Sequence, residues 1–192
     1  MIRVGILGEI GSGKSFISKQ IGFPVFNADI EIAKLYKGSR KCYLKLKKAL
    51  PNYIKTFPIK KHYLLKAIKD NQNNLRKIVK IMHPEVHFKM NNFIKKNKNK
   101  KIVVLDIPLL LENKINKKND ILIYIQANKK EMKRRLKARP NFDKKLFKKL
   151  KNLQLGVEVK KKKSNFIIKN NFNKNLVKKN VKKVIKEILS ND

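Results

Sequence analysis

One stretch near the start of the chain, Ile2-Arg3-Val4-Gly5-Ile6-Leu7-Gly8-Glu9-Ile10-Gly11-Ser12-Gly13-Lys14-Ser15, leaves few folds open. Its first part is β-branched and apolar, the pattern of a buried strand. Its second part fits G-x-x-x-x-G-K-[ST], with Gly8 and Gly13 as the fixed glycines. Helix-compatible sequence follows from Lys14. Strand, glycine loop and helix in that order make a cradle for phosphate. The glycines let backbone N–H groups turn inward, and the helix brings its positive end to the same anion. In such a loop the lysine, Lys14, reaches the β- and γ-phosphates, and the Ser15 hydroxyl ligates Mg²⁺. Gly8, Glu9, Ile10, Gly11, Ser12, Gly13, Lys14, Ser15 and Phe16 are the expected ATP contacts.

The spacing predicts a short first helix over 15–20, ended by Gly22-Phe23-Pro24, then a strand through Val25-Phe26-Asn27 into a turn. Asp29 falls at the carboxyl end of that strand, the edge where open α/β sheets bind ligands. It is a candidate general base, and equally a candidate N-cap for a helix over 30–36. Residues 30–96 are predicted helical, with Tyr63, Leu64, Ala67, Ile68, Leu75, Ile78, Val79 and Met82 at helical spacing and breaks at Pro51 and Pro58. His83 and His87 flank Pro84-Glu85 without meeting the zinc pattern H-E-x-x-H, and Pro84 is expected as the first residue of a helix. Lys101-Ile102-Val103-Val104-Leu105-Asp106 reads as a buried strand ending in an acid. An acid there supports Mg²⁺ or its waters beside a phosphate loop. Another strand follows at Ile121-Leu122-Ile123-Tyr124-Ile125.

Residues 131–155 are expected as helix, break at Pro140, and helix. Arg134, Arg135 and Arg139 lie there, half of the six arginines in a chain with 44 lysines. A site that needs forked contact with phosphate resists exchange of arginine for lysine. Lys160 to Lys163 reads as a solvated turn or mobile loop. Asn165-Phe166-Ile167-Ile168 is a last strand. A closing helix over 175–189 carries the stripe Leu176, Val177, Val181, Val184, Ile185 and Ile188. Strands alternating with helices indicate a parallel α/β sheet.

Composition sets the remaining bounds. The 192 residues, 42% hydrophobic, suffice for one core with small inserted subdomains. A single cysteine, Cys42, has no internal disulfide partner, and no leader or membrane-length apolar run is evident, so a soluble cytoplasmic protein without membrane attachment is expected. The net charge of +37 has two readings. One is nucleic-acid binding. The other is codon bias, since Lys, Asn and Ile share A/T-rich codons, and it accounts for most of the charge.

The ordered set of motifs resembles the dephospho-coenzyme A kinase family over nearly the whole chain. The matching pieces are Gly8 to Ser15, Asn27-Ala28-Asp29, His83-Pro84, Asp106-Ile107-Pro108-Leu109-Leu110-Leu111-Glu112, Arg135 and Arg139, Gln154, and Asn170-Asn171. The resemblance implies a five-stranded parallel P-loop core (1–29, 97–134, 164–192), a helical acceptor-binding insertion (30–96) and a lid (135–163). It implies transfer of the γ-phosphoryl of ATP to the ribose 3′-hydroxyl of dephospho-coenzyme A, with Mg²⁺ on Ser15. Asp29 would accept the hydroxyl proton. Lys14, Arg135 and Arg139 would stabilise phosphoryl charge, and Asn171 would lie near adenine. His83, Asp106, Pro108, Leu109, Leu110 and Glu112 would face the acceptor. It also implies a monomer or weak homo-oligomer with no obligatory nucleic acid.

Departures from the family pattern are Asn27 and Lys169 in place of aspartates, Glu9 in place of a loop glycine, Leu7 in place of threonine and Lys160 in place of arginine. The first helix is also about one turn short. Two alternatives stay open on the sequence: a basic nucleic-acid-binding protein on a decayed kinase fold, and a kinase of another nucleotide or nucleoside.

Overall fold

The structure is a computed structural model and describes residues 1–140 and 142–190. Position 141, inside the expected lid, and 191–192, at the end of the expected core, lie outside the described residues. The elements run β1 (Ile2–Gly8), α1 (Lys14–Gln20), β2 (Val25–Asn27), α2 (Ala28–Gly38), α3 (Arg40–Ala49), α4 (Lys61–Asp70), α5 (Gln72–Lys96), β3 (Ile102–Asp106), β4 (Ile121–Ala127), α6 (Lys129–Lys137), α7 (Lys144–Lys151), α8 (Val157–Lys162), β5 (Phe166–Asn170) and α9 (Lys174–Ser190).

The five strands form one parallel sheet in the order β2-β3-β1-β4-β5. β1 lies at the centre, and the chain crosses from one side of it to the other after β3. In such a sheet the carboxyl edge at that switch is where ligands bind. Both faces are covered along β3 and most of β4, which are apolar without alternation, whereas the edge strand β5 alternates buried and exposed positions. All five residues of β3 are buried. Val4, Ile6, Ile102, Val104, Ile123, Ile125 and Ile168 pack with Ile17 and Ile21 at α1 and with Val177, Val181, Ile185 and Ile188 of α9. Leu176, expected in the α9 stripe, is instead 45% exposed, because it stands one residue off the buried face.

Contacts divide the chain into a unit of 1–27 with 97–192 and a unit of 28–96. Within the second, α5 packs on α2, α3 and α4. Cys42, on α3, is fully buried there as a free thiol. Two local expectations are corrected in this unit. Pro84 does not open a helix: it lies inside α5. A proline there removes one hydrogen bond, and packing against three neighbouring helices outweighs that loss. Asp29 is not an N-cap either, since α2 already begins at Ala28 and Asp29 sits in its first turn. The 160–163 run is also not a loop. Val157–Lys162 is a helix that packs on β1, and Lys160 is 3% exposed. Among the described residues no helix is long and apolar enough to cross a membrane.

Candidate active site

The carboxyl ends of the strands carry the polar residues. β1 runs into the phosphate loop, whose Gly13 takes φ 87° at the start of α1. A Cβ there would sit 2.5 Å from Asn170 Nδ2, so both the backbone angle and the space demand glycine. Asn170 ends β5, is buried, and donates from Nδ2 to the Ser12 carbonyl at 2.8 Å. Its Oδ1 accepts the Phe172 N–H at 2.9 Å. The last strand therefore holds the loop from behind. Lys14 folds back over the loop, with Nζ donating to the carbonyls of Gly8 at 3.1 Å and Glu9 at 3.0 Å.

Beside Ser15 lies a small polar cluster. The register pairs Asn27 with Asp106 across β2 and β3. Asn27 Nδ2 donates to Asp106 Oδ2 at 2.5 Å and to Ser15 Oγ at 3.4 Å. Asp106 is buried, at the acid-bearing end of a wholly apolar strand. Hydroxyl, amide and carboxylate thus meet next to the loop lysine.

On α6, Glu131 gathers two of the arginines. Arg134 donates from Nε and Nη2 at 2.8 and 2.7 Å, and Arg135 from Nε at 2.8 Å. These bonds from Arg134, then Arg135, pull the Glu131 carboxyl down to about 2. The Arg135 guanidinium also lies 4.3 Å from the centre of the Phe172 ring, a cation–π contact that joins α6 to the turn after β5. Phe172 holds φ 63°, unusual for an aromatic residue and fixed here by Asn170. Arg139 lies beyond the end of α6 with its side chain exposed. Asn171 is exposed too, and its Oδ1 accepts the Asn173 N–H.

The segment after β3 is tightly held. Leu109 takes φ 59°, Leu110 is buried, and Pro108 is exposed. Glu112 Oε1 accepts the Leu155 N–H at 2.8 Å and pairs with Lys160 Nζ at 2.9 Å. Burial alone would raise this carboxyl. The bonds from Lys160, its own N–H and Leu155 outweigh burial and leave it below its ordinary value.

In the helical unit, Asp29 lines a cavity of about 770 Å³ together with Ile32, Tyr36, Ile59, Leu64 and Ile68. Lys37, Lys60 and Lys61 also line it. Burial, then the charges of Cys42 and Asp29, push the Tyr36 hydroxyl up to about 12. His83 is half-buried on α5, its ring 6.2 Å from that of His87.

The family model of dephospho-CoA kinase matches residues 2–175, most of the chain. The chain belongs to the dephospho-CoA kinase family. The dephospho-CoA kinase of Wolbachia sp. subsp. Brugia malayi is 33% identical over 187 residues, covering 95% of each chain. That of Bartonella quintana is 32% identical over 193 residues, covering 98% of each. Solved structures agree on the fold. A Thermus thermophilus protein superposes with TM-score 0.75 at 23% identity, covering 99% of this chain and 97% of its own. The dephospho-CoA kinase from Campylobacter jejuni gives 0.65 at 24%, covering 97% and 96%. A shikimate kinase from Acinetobacter baumannii in complex with shikimate gives 0.52 at 15%, covering 100% and 95%. As a dephospho-CoA kinase the protein is an ATP-dependent kinase of coenzyme A biosynthesis, phosphorylating dephospho-CoA.

Phe172 escapes a reading of the sequence, because its ring meets Arg135 of α6 from far away in the chain. Asn170 and Lys160 stand at positions of the family pattern, but the partners that hold them, the Ser12 carbonyl and Glu112, are distant in sequence.

Proposed function

We propose that this kinase holds Mg²⁺-ATP on residues 8–16 and transfers the γ-phosphoryl group to the ribose 3′-hydroxyl of dephospho-coenzyme A, with Asp29 taking the hydroxyl proton. The observation that carries the reading is the convergence of Ser15, Asn27 and Asp106 beside Lys14. Such a donor set fits magnesium, which keeps several waters and takes one or two carboxylates along with substrate phosphates. Ser15 would be a direct ligand, and Asp106 would hold the ion or its waters. When bound, the ion neutralises charge on the β- and γ-oxygens.

The residues of the chain divide the remaining work. Loop N–H groups and Lys14 bind the phosphates. Arg135 and Arg139 meet the charge on the transferring group, and Asn171 lies toward adenine. Asp29 sits on the wall of a largely apolar cavity with three lysines. That wall suits the pantetheine arm and the lysines suit the diphosphate of the acceptor. His83, Pro108, Leu109, Leu110 and Glu112 complete the acceptor side, Leu110 and Glu112 from behind. A carboxylate base suits a sugar hydroxyl, a poor nucleophile at neutral pH. The reading includes a cytoplasmic enzyme, monomeric or weakly self-associating and with no obligatory nucleic acid; the free thiol of Cys42 supports a reducing compartment.

A coupled assay of ADP release with dephospho-coenzyme A tests this. Lys14→Ala should lose about a hundredfold or more in turnover. Asp29→Asn should lose about 10²-fold or more in kcat while ATP still binds. Wild-type protein that binds ATP but forms no 3′-phosphorylated product would overturn the reading.

A further inference from the structure

Lys160 is the one lysine buried among the described residues, in a chain that holds 44. Taking an ammonium group out of water is costly unless a counter-charge and hydrogen bonds offset it. Glu112 supplies the charge at 2.9 Å, and its side chain is itself only 10% exposed. The same carboxylate oxygen accepts the Leu155 N–H, and Ser164 Oγ donates to the Lys160 carbonyl at 2.7 Å. One carboxylate therefore ties two stretches of chain together.

Each stretch borders the phosphate site. On one side is the exit from β3, which begins at Asp106 and holds Leu109 at φ 59° and Lys114 at φ 52°. Left-handed backbone at a leucine and a lysine is strained, and it persists only where surrounding contacts over-determine it. On the other side, Gln154, Leu155, Gly156 and Val157 line a cavity of about 440 Å³ that Glu9 and Ile10 of the phosphate loop also line. The Glu112–Lys160 pair fixes that wall to the segment carrying Asp106.

We propose that Lys160 is a positioning residue for phosphoryl transfer. Acting through Glu112, it holds the 154–157 wall against the β3 exit and so keeps water from the space beside the phosphate loop. The inference rests on the kinase reading above. Without the ammonium, Glu112 is left as a buried charge that has lost its partner, and the wall loosens to let water reach it. Water then competes as acceptor. The bond from the γ-phosphorus to the bridging oxygen breaks, a water oxygen takes the phosphoryl group, and its proton leaves to solvent.

The experiment compares wild type, Lys160→Met, Lys160→Arg and Glu112→Gln. ADP released and acceptor phosphorylated are measured together, with a thermal melt on each protein. Lys160→Met should lower kcat for the acceptor about tenfold, leave the KM for ATP within about twofold, and raise ADP per product about threefold or more. Lys160→Arg, which keeps the charge, should stay near the wild-type ratio. If both rates of Lys160→Met fall in step with its folded fraction, or neither changes, the proposal is overturned. Should Lys160→Met not fold, Glu112→Gln, which keeps an oxygen for the Leu155 N–H and removes only the charge facing Lys160, decides. A raised ADP-per-product ratio supports the proposal, and an unchanged ratio overturns it. Wild-type protein inactive on the acceptor would refute the kinase reading instead.

Discussion

A single methyl group at position 13 is enough to force the phosphate loop off the asparagine that backs it. Its Cβ would lie 2.5 Å from Asn170 Nδ2 on a backbone at φ 87°. Gly13→Ala should therefore abolish ATP binding by calorimetry even where the protein still folds. Asn170→Ala acts from the other side. It strands the Ser12 carbonyl, and should cost about 1–3 kcal/mol in urea denaturation while weakening ATP binding. Unchanged affinity in a folded Asn170→Ala protein would show that the buttress has no part in shaping the loop. Asn27 permits a sharper test. Its amide donates to Asp106. Asn27→Asp sets two carboxylates side by side and should lower the melting temperature of the metal-free protein, with added Mg²⁺ recovering the loss. The glycine loop and the place of Asp106 at the end of β3 were legible in the sequence because each is announced by its immediate neighbours. Asn170 stood in the family pattern, but its hold on the Ser12 carbonyl did not show, because that partner lies 158 positions away.

Elements show the same division between local and distant causes. Strands β3 and β4, with their apolar runs, and the buried positions 177, 181, 185 and 188 of α9 follow from periodicity alone. Pro84 misleads because a local rule about helix starts is outweighed by three neighbouring helices. The 160–163 run misleads because composition says "solvent" and a single carboxylate elsewhere says otherwise. On α6, Glu131 works on the arginines as a clamp whose strength depends on pH. Its folded value of about 2 lies below the ordinary 4.5, so the tie is complete above 4.5 and is lost as pH falls through 2. Carboxyl NMR should find its midpoint near 2, returning toward the ordinary value in the Arg134→Ala, Arg135→Ala double variant. A midpoint near 4.5 in the wild type would mean that Glu131 does not hold the arginines in solution.

Over the molecule as a whole, +37 charges on 192 residues repel one another and attract anionic substrates. Raising NaCl from about 20 to about 200 mM shortens the Debye length severalfold, so the melting temperature should rise while the KM for ATP also rises. A melting temperature that falls over that range would show that specific ion pairs outweigh the general repulsion. The helical unit offers an independent gauge of its own integrity. It contains the chain's only sulfhydryl, Cys42, sealed completely within α3. A colorimetric disulfide reagent can react there only when that unit opens, so the rate of colour development times the breathing of the helical unit without any engineered probe. Adding the acceptor, which the proposal seats in this unit, should slow that clock.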